Sequence, residues 1–100
     1  MKKIECVVRP ERAAAVEQAL RKAHVGGVTM SEVKGFGLQA RAARSKVKLE
    51  IYAMDYELEK VLKLIQATAY TGRVGDGKIA VLPLDNVIRI RTQEQGAKAL

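Results

Sequence analysis

The stretch that decides the fold is Lys3-Ile4-Glu5-Cys6-Val7-Val8, a predicted β-strand that is followed almost at once by Pro10. Proline suits the first turn of a helix, because the N–H group that it lacks has no partner there. A second such stretch is Lys48-Leu49-Glu50-Ile51-Tyr52-Ala53, and it is followed by Asp55, which we expect to cap another helix. The chain therefore contains the same strand-then-helix unit twice.

Each predicted helix leads into a further strand. Apolar residues recur at helical spacing over about residues 10–23 and 55–70, and strand patterns follow at 27–33 and 78–82. The order β-α-β, repeated once, predicts an α+β fold, the ferredoxin-like βαββαβ sandwich.

The ends of these elements can be predicted as well. Gly26 and Gly72 are expected to stop the two helices, because glycine takes the left-handed conformation readily. Alternating residues predict an extra C-terminal strand over 86–91, and the polar tail 92–100 is expected to be loosely held.

Length and composition place the chain among single-domain globular proteins. It has 100 residues, of which 48% are hydrophobic and 29% charged. No apolar run approaches the ~20 residues of a membrane span, and Glu5 interrupts any signal-peptide core. We therefore expect a cytoplasmic protein. The single cysteine, Cys6, excludes an internal disulfide and is expected to be a small core residue.

The net charge of +7 predicts an anionic partner, for which nucleic acid, a membrane surface and a phosphorylated small molecule all qualify. With no Trp, one Phe and three Tyr, the chain offers few stacking platforms for single-stranded nucleic acid. An RNA-recognition domain shares the βαββαβ plan but needs aromatic residues on its central strands, where only Tyr52 is expected. No nucleic acid partner is expected.

Catalysis is not predicted. The only histidine, His24, falls at the end of the first predicted helix, where its charge complements the dipole. Cys6 lies in a strand with no candidate base, and no set of residues has metal-ligand spacing. Four charged residues, Lys3, Glu5, Lys48 and Glu50, fall on the sheet face without helices, which is either solvated or a polar oligomer interface.

Two glycine-rich segments and a pair of arginines favour a phosphate site when taken together. Gly35-Phe36-Gly37 and the loop 71–78 let backbone N–H groups approach phosphate oxygens, although each alone is also typical of a turn. In the second segment Arg73 and Lys78 supply charge, and Asp76 is expected to orient one of them.

Alternation places Arg89 and Arg91 on one face of the predicted last strand. Two parallel guanidinium groups suit a polyanion such as a di- or triphosphate. The alternative is an exposed edge strand that is guarded by charge.

Two long stretches closely resemble the signature segments of the PII signal-transduction proteins. They are Val25-Gly26-Gly27-Val28-Thr29-Met30-Ser31-Glu32-Val33-Lys34-Gly35-Phe36-Gly37 and Thr71-Gly72-Arg73-Val74-Gly75-Asp76-Gly77-Lys78-Ile79. Further segments that match are Met1-Lys2-Lys3-Ile4-Glu5, Arg9-Pro10, Lys46-Val47-Lys48-Leu49-Glu50-Ile51 and Val87-Ile88-Arg89-Ile90-Arg91-Thr92. The resemblance covers nearly the whole chain.

The resemblance implies a single PII-like domain over residues 1–100 that assembles into a homotrimer. Its parts would be a docking loop at about 37–46, a glycine-rich phosphate loop at 71–78 and a C-terminal loop at 89–100. It also implies a non-catalytic regulator that binds ATP, ADP or AMP in each cleft between subunits, with Mg²⁺ accompanying ATP. Such a protein acts on a membrane transporter or enzyme of nitrogen or carbon metabolism.

The resemblance further implies which residues bind the nucleotide. Those at the base of the docking loop are Gly35, Gly37, Leu38 and Gln39. Those that cradle the phosphates are Gly75, Asp76, Gly77 and Lys78, with Arg89 and Arg91 from the neighbouring subunit. Those near the adenine are Val7, Thr29 and Tyr52. The effector, 2-oxoglutarate or bicarbonate, would meet Gln39 and Lys46.

Two departures from the family pattern bear on the function. Leu38 stands where the family usually has Arg, which removes a cation near the terminal phosphate. The docking loop is sharply shortened and lacks the tyrosine that some members modify by nucleotidylation. These departures favour an alternative input, in which AMP or ADP and bicarbonate regulate inorganic-carbon uptake.

Overall fold

The computed structural model describes residues 1–38 and 42–100. Their elements follow the predicted order of strands and helices. They are β1 (Lys2–Val8), α1 (Pro10–Lys22), β2 (Val28–Gly35), β3 (Arg44–Ala53), a 3₁₀ turn (Asp55–Glu57), α2 (Leu58–Ala69), β4 (Gly77–Pro83) and a second 3₁₀ turn (Gly96–Ala99). The βαββαβ fold predicted from the sequence is confirmed.

The four strands form one antiparallel sheet in the order β2-β3-β1-β4. The central strands pair Cys6 with Leu49 and Glu5 with Glu50. Successive side chains alternate between the two faces of a strand, so one face of this pair is apolar and the other charged. Both helices cover the apolar face, and the charged face carries no helix.

The core lies between the helices and the apolar face of the sheet. The largest side chains that are essentially inaccessible to solvent are Ile4, Cys6, Val8, Val16, Leu20, Leu49, Ile51, Val61 and Ile65. Cys6 is among them, as predicted, and burial raises the pKa of its thiol to about 11. A thiol that stays protonated in an apolar core acts as a small hydrophobic residue.

The end of α1 differs from the prediction at one residue. The left-handed conformation is taken by His24 (φ +59°), whereas Gly26 has no positive φ. The N–H of Val25 reaches back to the carbonyl of Leu20 at 3.1 Å. This six-to-one hydrogen bond closes the helix two residues earlier than a cap at Gly26 would.

The start of α2 also corrects the prediction. Asp55 does not cap the helix, because its carboxylate pairs with the terminal ammonium of Met1 at 3.0 Å. The capping group is Glu57, whose Oε1 accepts a hydrogen bond from the N–H of Met54 at 3.0 Å. A glutamate three residues into a helix commonly reaches back in this way.

The predicted extra C-terminal strand is wrong. Residues 86–91 make one isolated bridge, Ile88 to Gln95, because the chain reverses through Gln93 (φ +62°) and Gly96 (φ +66°). The backbone that alternation predicted as a strand therefore pairs with its own tail. This tail is not loosely held, since Ala99 is buried.

None of the helices among the described residues is both long and apolar enough to cross a membrane.

The packing predicts a contrast between two leucines. Leu20 is 1% exposed and Leu38 is fully exposed. Leu20→Ala should lower the free energy of unfolding by about 2–5 kcal/mol, through lost burial and a cavity, whereas Leu38→Ala should stay within about 0.5 kcal/mol. Urea unfolding at one fixed protein concentration measures both. Equal losses for the two variants would contradict this assignment of the core.

Candidate functional site

The glycine-rich loop between α2 and β4 is organised around the carboxylate of Asp76. This carboxylate accepts hydrogen bonds from the backbone N–H groups of Thr71 and Gly72, both at 2.8 Å, and from the Thr71 hydroxyl. Its fourth partner is the Nε of Arg9, at 2.9 Å. Asp76 therefore orients Arg9, and not Lys78 or Arg73 as the sequence had predicted.

These contacts hold Asp76 in its charged form. The hydrogen bonds from Thr71, followed by the one from Arg9, keep the pKa of Asp76 well below its usual range. A carboxylate that accepts several hydrogen bonds is stabilised relative to the protonated acid. The loop is thus built on a residue that is charged at neutral pH.

Two cationic side chains donate hydrogen bonds to backbone carbonyl groups of the same loop. The Nη2 of Arg9 donates to the carbonyl of Val74, and the Nζ of Lys46 donates to the carbonyl of Gly75, each at 2.6 Å. Arg9 precedes α1, and Lys46 lies near the start of β3. The loop is therefore fixed to the two elements that flank it in space. Sequence reasoning missed Arg9, whose only signal was its place before a proline.

Glycine is required at two positions of the loop. Gly75 and Gly77 have φ values of +99° and +105°, which L side chains rarely adopt. A Cβ on Gly77 would lie 1.7 Å from the carbonyl oxygen of Val7, well inside van der Waals contact. The loop closes tightly onto β1 only because residue 77 has no side chain.

The same loop leaves two backbone N–H groups free. Among the described residues, no hydrogen bond uses the N–H of Val74 or Gly75 as its donor, whereas the N–H of Asp76 closes the turn that these two residues form. Lys78 follows on an exposed position at the start of β4, beside Val7 on β1. Free N–H groups next to a lysine form a concavity that suits phosphate oxygens.

The remaining predicted residues at this end of the sheet come from the β2–β3 connection. Gly35 ends β2 opposite Arg44, and Gly37 and Leu38 are exposed beyond it. Lys46, the predicted effector residue, is bonded to the glycine-rich loop. Gln39 lies outside the described residues.

Four other predicted residues lie at the opposite end of the sheet. Tyr52 pairs with Lys3 near the start of β1, and Thr29 lies at the start of β2. Arg89 and Arg91 follow the end of β4, and Arg89 donates to the carbonyl of Leu100 at 3.0 Å. A strand of seven residues spans about 20 Å, so one chain does not bring the two groups together.

The helix-free face carries a compact ring of alternating charge. Lys3 lies 3.2 Å from Glu50, and Lys48 lies 3.3 Å from Glu5, with two further contacts of 3.6 and 3.7 Å closing the ring. The hydrogen bond between Lys3 and Glu50 raises the pKa of the lysine and lowers that of the glutamate. Because these charges neutralise each other, this face offers little net attraction to a polyanion.

No group of three His, Cys, Asp or Glu residues in the described part of the chain is placed to hold a metal ion.

Comparison with known proteins identifies the family. The family model described as "Nitrogen regulatory protein P-II" matches residues 1–94. The chain belongs to the P-II family. This membership gives it the broad class of a signalling regulator.

Individual relatives resemble the chain over its whole length. It is 41% identical over 112 residues to the Nitrogen regulatory protein P-II of Azospirillum brasilense, and 40% to that of Rhodospirillum rubrum, with full coverage of both proteins in each case. It is 43% identical over 110 residues to the P-II homolog of Arabidopsis thaliana. That match covers 97% of this chain and 56% of the Arabidopsis thaliana protein. The alignment with the Azospirillum brasilense protein has 112 positions, and this chain has 100 residues, so 12 positions have no residue in this chain. Because the alignment covers both proteins fully, these 12 positions lie within the chain and agree with an internal shortening.

The charge of Asp76 predicts a dependence of this P-II protein's stability on pH. Because folding lowers its pKa, Asp76 adds stability above about pH 4, and this contribution is lost as the pH falls through the folded-state pKa. The free energy of unfolding should therefore fall more steeply between about pH 5 and pH 2 in the wild type than in Asp76→Asn.

A matched control is Asp85→Asn, since Asp85 is exposed and makes no ion pair among the described residues. Chemical denaturation at several pH values measures all three proteins. The account of the loop fails if Asp76→Asn and Asp85→Asn show the same acid dependence.

Proposed function

We propose that this P-II family member binds adenine nucleotides, with the phosphates in the glycine-rich loop 71–78. The observation that carries the proposal is the pair of free N–H groups at Val74 and Gly75, next to Lys78. Hydrogen bonds within the chain, from Arg9, Thr71 and Gly72 to the carboxylate of Asp76, hold the loop in this form. A prearranged site loses less entropy when its ligand binds.

The proposal places the site between chains. The glycine-rich loop lies at one end of the sheet, and the two C-terminal arginines, Arg89 and Arg91, lie at the other. Contact between one chain's loop and the next chain's arginines is a head-to-tail interface, which closes into a ring when the rotation fits. We propose a homotrimer with one nucleotide in each cleft, and with Thr29 and Tyr52 of the neighbouring subunit near the base.

The helix-free face supports assembly. Tyr52 and Leu82 are 46% and 41% exposed there, around charges that already neutralise one another. Burying such a face costs less than burying unpaired charges, and a chain of 100 residues has a thin core that gains from added burial.

The same face argues against RNA. An RNA-recognition sheet needs exposed aromatic residues on its central strands and positive charge to meet phosphates. Here Tyr52 is the one aromatic residue on β1 and β3, and Lys3 and Lys48 are paired with glutamates.

We propose that nucleotide occupancy is read out by the β2–β3 connection, which would dock on a transporter or metabolic enzyme. Phe36 is 77% exposed and Leu38 fully exposed beside the glycine-rich loop, so apolar side chains are available to a partner. A carboxylate effector such as 2-oxoglutarate or bicarbonate would bind the remaining N–H donors of Lys46, whose ammonium group uses one of its three for Gly75.

Removing Lys78 should test the phosphate site. A charge-assisted hydrogen bond contributes roughly 1.5–3 kcal/mol, so Lys78→Ala should weaken ADP binding by about tenfold or more. Lys60→Ala, on the exposed side of α2, is the matched control and should bind ADP like the wild type. Calorimetry on protein cleared of copurified ligand gives the affinities. Absence of ATP, ADP and AMP binding by the wild type at millimolar concentration would refute the proposed function.

Leu38 predicts an unusual ligand preference. Its apolar side chain stands where the family usually places a cation for the terminal phosphate, so ADP or AMP should bind at least as tightly as ATP. Leu38→Arg should raise ATP affinity by roughly tenfold to a hundredfold, the worth of one charged hydrogen bond, and leave AMP affinity almost unchanged. Competition titrations with the three nucleotides measure this. A wild-type preference of tenfold or more for Mg-ATP over ADP would show that the argument is wrong.

A further inference from the structure

We propose that Arg9 and Lys46 are positioning residues for the phosphate site. By holding two consecutive carbonyl groups of the glycine-rich loop, they fix the turn that aims the backbone N–H of Gly75 at the phosphates. This inference rests on the proposed function and adds to it the residues that set the direction of the amides.

The geometry follows from the peptide bond. In a trans peptide the C=O and N–H groups of one unit point in opposite directions, and none of the described peptide bonds is cis. The carbonyl of Val74 shares its peptide unit with the N–H of Gly75, and it is fixed toward Arg9 at 2.6 Å. The N–H of Gly75 must therefore point away from Arg9.

The next peptide unit repeats this arrangement. The carbonyl of Gly75 is fixed toward the Nζ of Lys46 at 2.6 Å, so the N–H of Asp76 points away from that lysine. The N–H of Asp76 closes the turn that Val74 and Gly75 form, so Lys46 helps to fix this turn, and the N–H of Gly75 is left without an acceptor among the described residues. Together with the free N–H of Val74 it forms an anion-binding concavity, while the two carbonyl groups are held by Arg9 and Lys46.

Glycine at residue 75 is the counterpart of the two cations. A Cβ there would lie 3.4 Å from both the Nη2 of Arg9 and the Nζ of Lys46, so the side chains pack directly under the loop backbone. The φ of +99° at Gly75 is what turns both neighbouring carbonyls to the same side. Arg9 adds a second hold through the carboxylate of Asp76 at 2.9 Å.

The fixed points also lie on different elements. Arg9 belongs to the junction of β1 and α1, and Lys46 belongs to β3 just after the β2–β3 connection. A change in the position of Lys46 would rotate the peptide unit between Gly75 and Asp76, and with it the turn that presents the N–H of Gly75. The lysine thus connects this turn to the segment that we propose reads out occupancy.

The test compares two variants with matched controls. Arg9→Gln and Lys46→Met each remove a cationic side chain that donates hydrogen bonds to the loop. Arg12→Gln removes a neighbouring arginine that bonds a carbonyl elsewhere, that of Thr68 at 2.9 Å, and Lys34→Met removes an exposed lysine at the same end of the sheet. Arg9→Lys keeps the charge but loses the two-pronged geometry of the guanidinium group.

Two measurements are made on each protein: ADP affinity by calorimetry, and the ¹⁵N order parameters of residues 75 and 76 without ligand. The order parameters of both amides should be about 0.85 in the wild type, as in a rigid backbone. They should fall below about 0.6 in Arg9→Gln and Lys46→Met. These two variants should bind ADP about tenfold or more weakly, and Arg9→Lys should lie between them and the wild type. The two control variants should match the wild type in both measurements.

The outcomes separate this inference from the function on which it rests. If the wild type binds ADP and both Arg9→Gln and Lys46→Met bind it equally well, the positioning role is wrong and the function stands. If the wild type binds no nucleotide, the function is wrong, and the order parameters still decide whether the two cations fix the amides. Should Arg9→Gln not fold, Lys46→Met carries the test, because it removes one contact near the surface.

Discussion

The contact between the Arg9 guanidinium and the Asp76 carboxylate, 2.9 Å long, is the interaction on which the rest of the site depends. It joins residues 67 positions apart and ties the start of α1 to the loop that enters β4. Through Thr71 and Gly72 the same carboxylate folds the loop back on itself, which leaves the amides of Val74 and Gly75 free. A surface ion pair alone contributes little, but here it is one of several hydrogen bonds on a single half-buried carboxylate, and residues 71–76 place no side chain in the core.

The fold places the two groups that the proposed site needs, the glycine-rich loop and the C-terminal arginines, at opposite ends of the sheet. Antiparallel pairing of β4 with β1 puts the glycine-rich loop beside Val8 and the end of β4 beside Lys2, so the loop and the C-terminal arginines are a strand length apart. A site that needs both groups is incomplete in one chain. Membership of the P-II family and the uncovered helix-free face both fit an assembly in which the arginines of one chain complete the site at the glycine-rich loop of its neighbour. On this account assembly and ligand binding are linked, since each cleft is formed by the interface.

Much of the fold could be predicted because its signals are local. The alternation of Ile4, Cys6 and Val8 predicts which face of the strand is apolar. The glycines of residues 75–77 indicate a loop with unusual backbone angles. Contacts between distant residues left no such signal. Arg9 was read only as the residue before Pro10, and its pairing with Asp76 depends on a close approach that only the folded chain creates. The predicted strand at 86–91 failed for a related reason, since two left-handed residues downstream return the tail onto it.

The most direct test of a site shared between chains is complementation in mixed trimers. Chains carrying Lys78→Ala and chains carrying Arg89→Ala are unfolded, mixed, refolded together and titrated with ADP by calorimetry. If one chain supplies the loop and its neighbour the arginine, each mixed trimer contains one cleft with both wild-type groups and regains tight binding there. Parent trimers refolded alone should not regain it. Mixed trimers that bind ADP no better than either parent would contradict the account, because they would show that both groups act within a single chain or that neither binds the nucleotide.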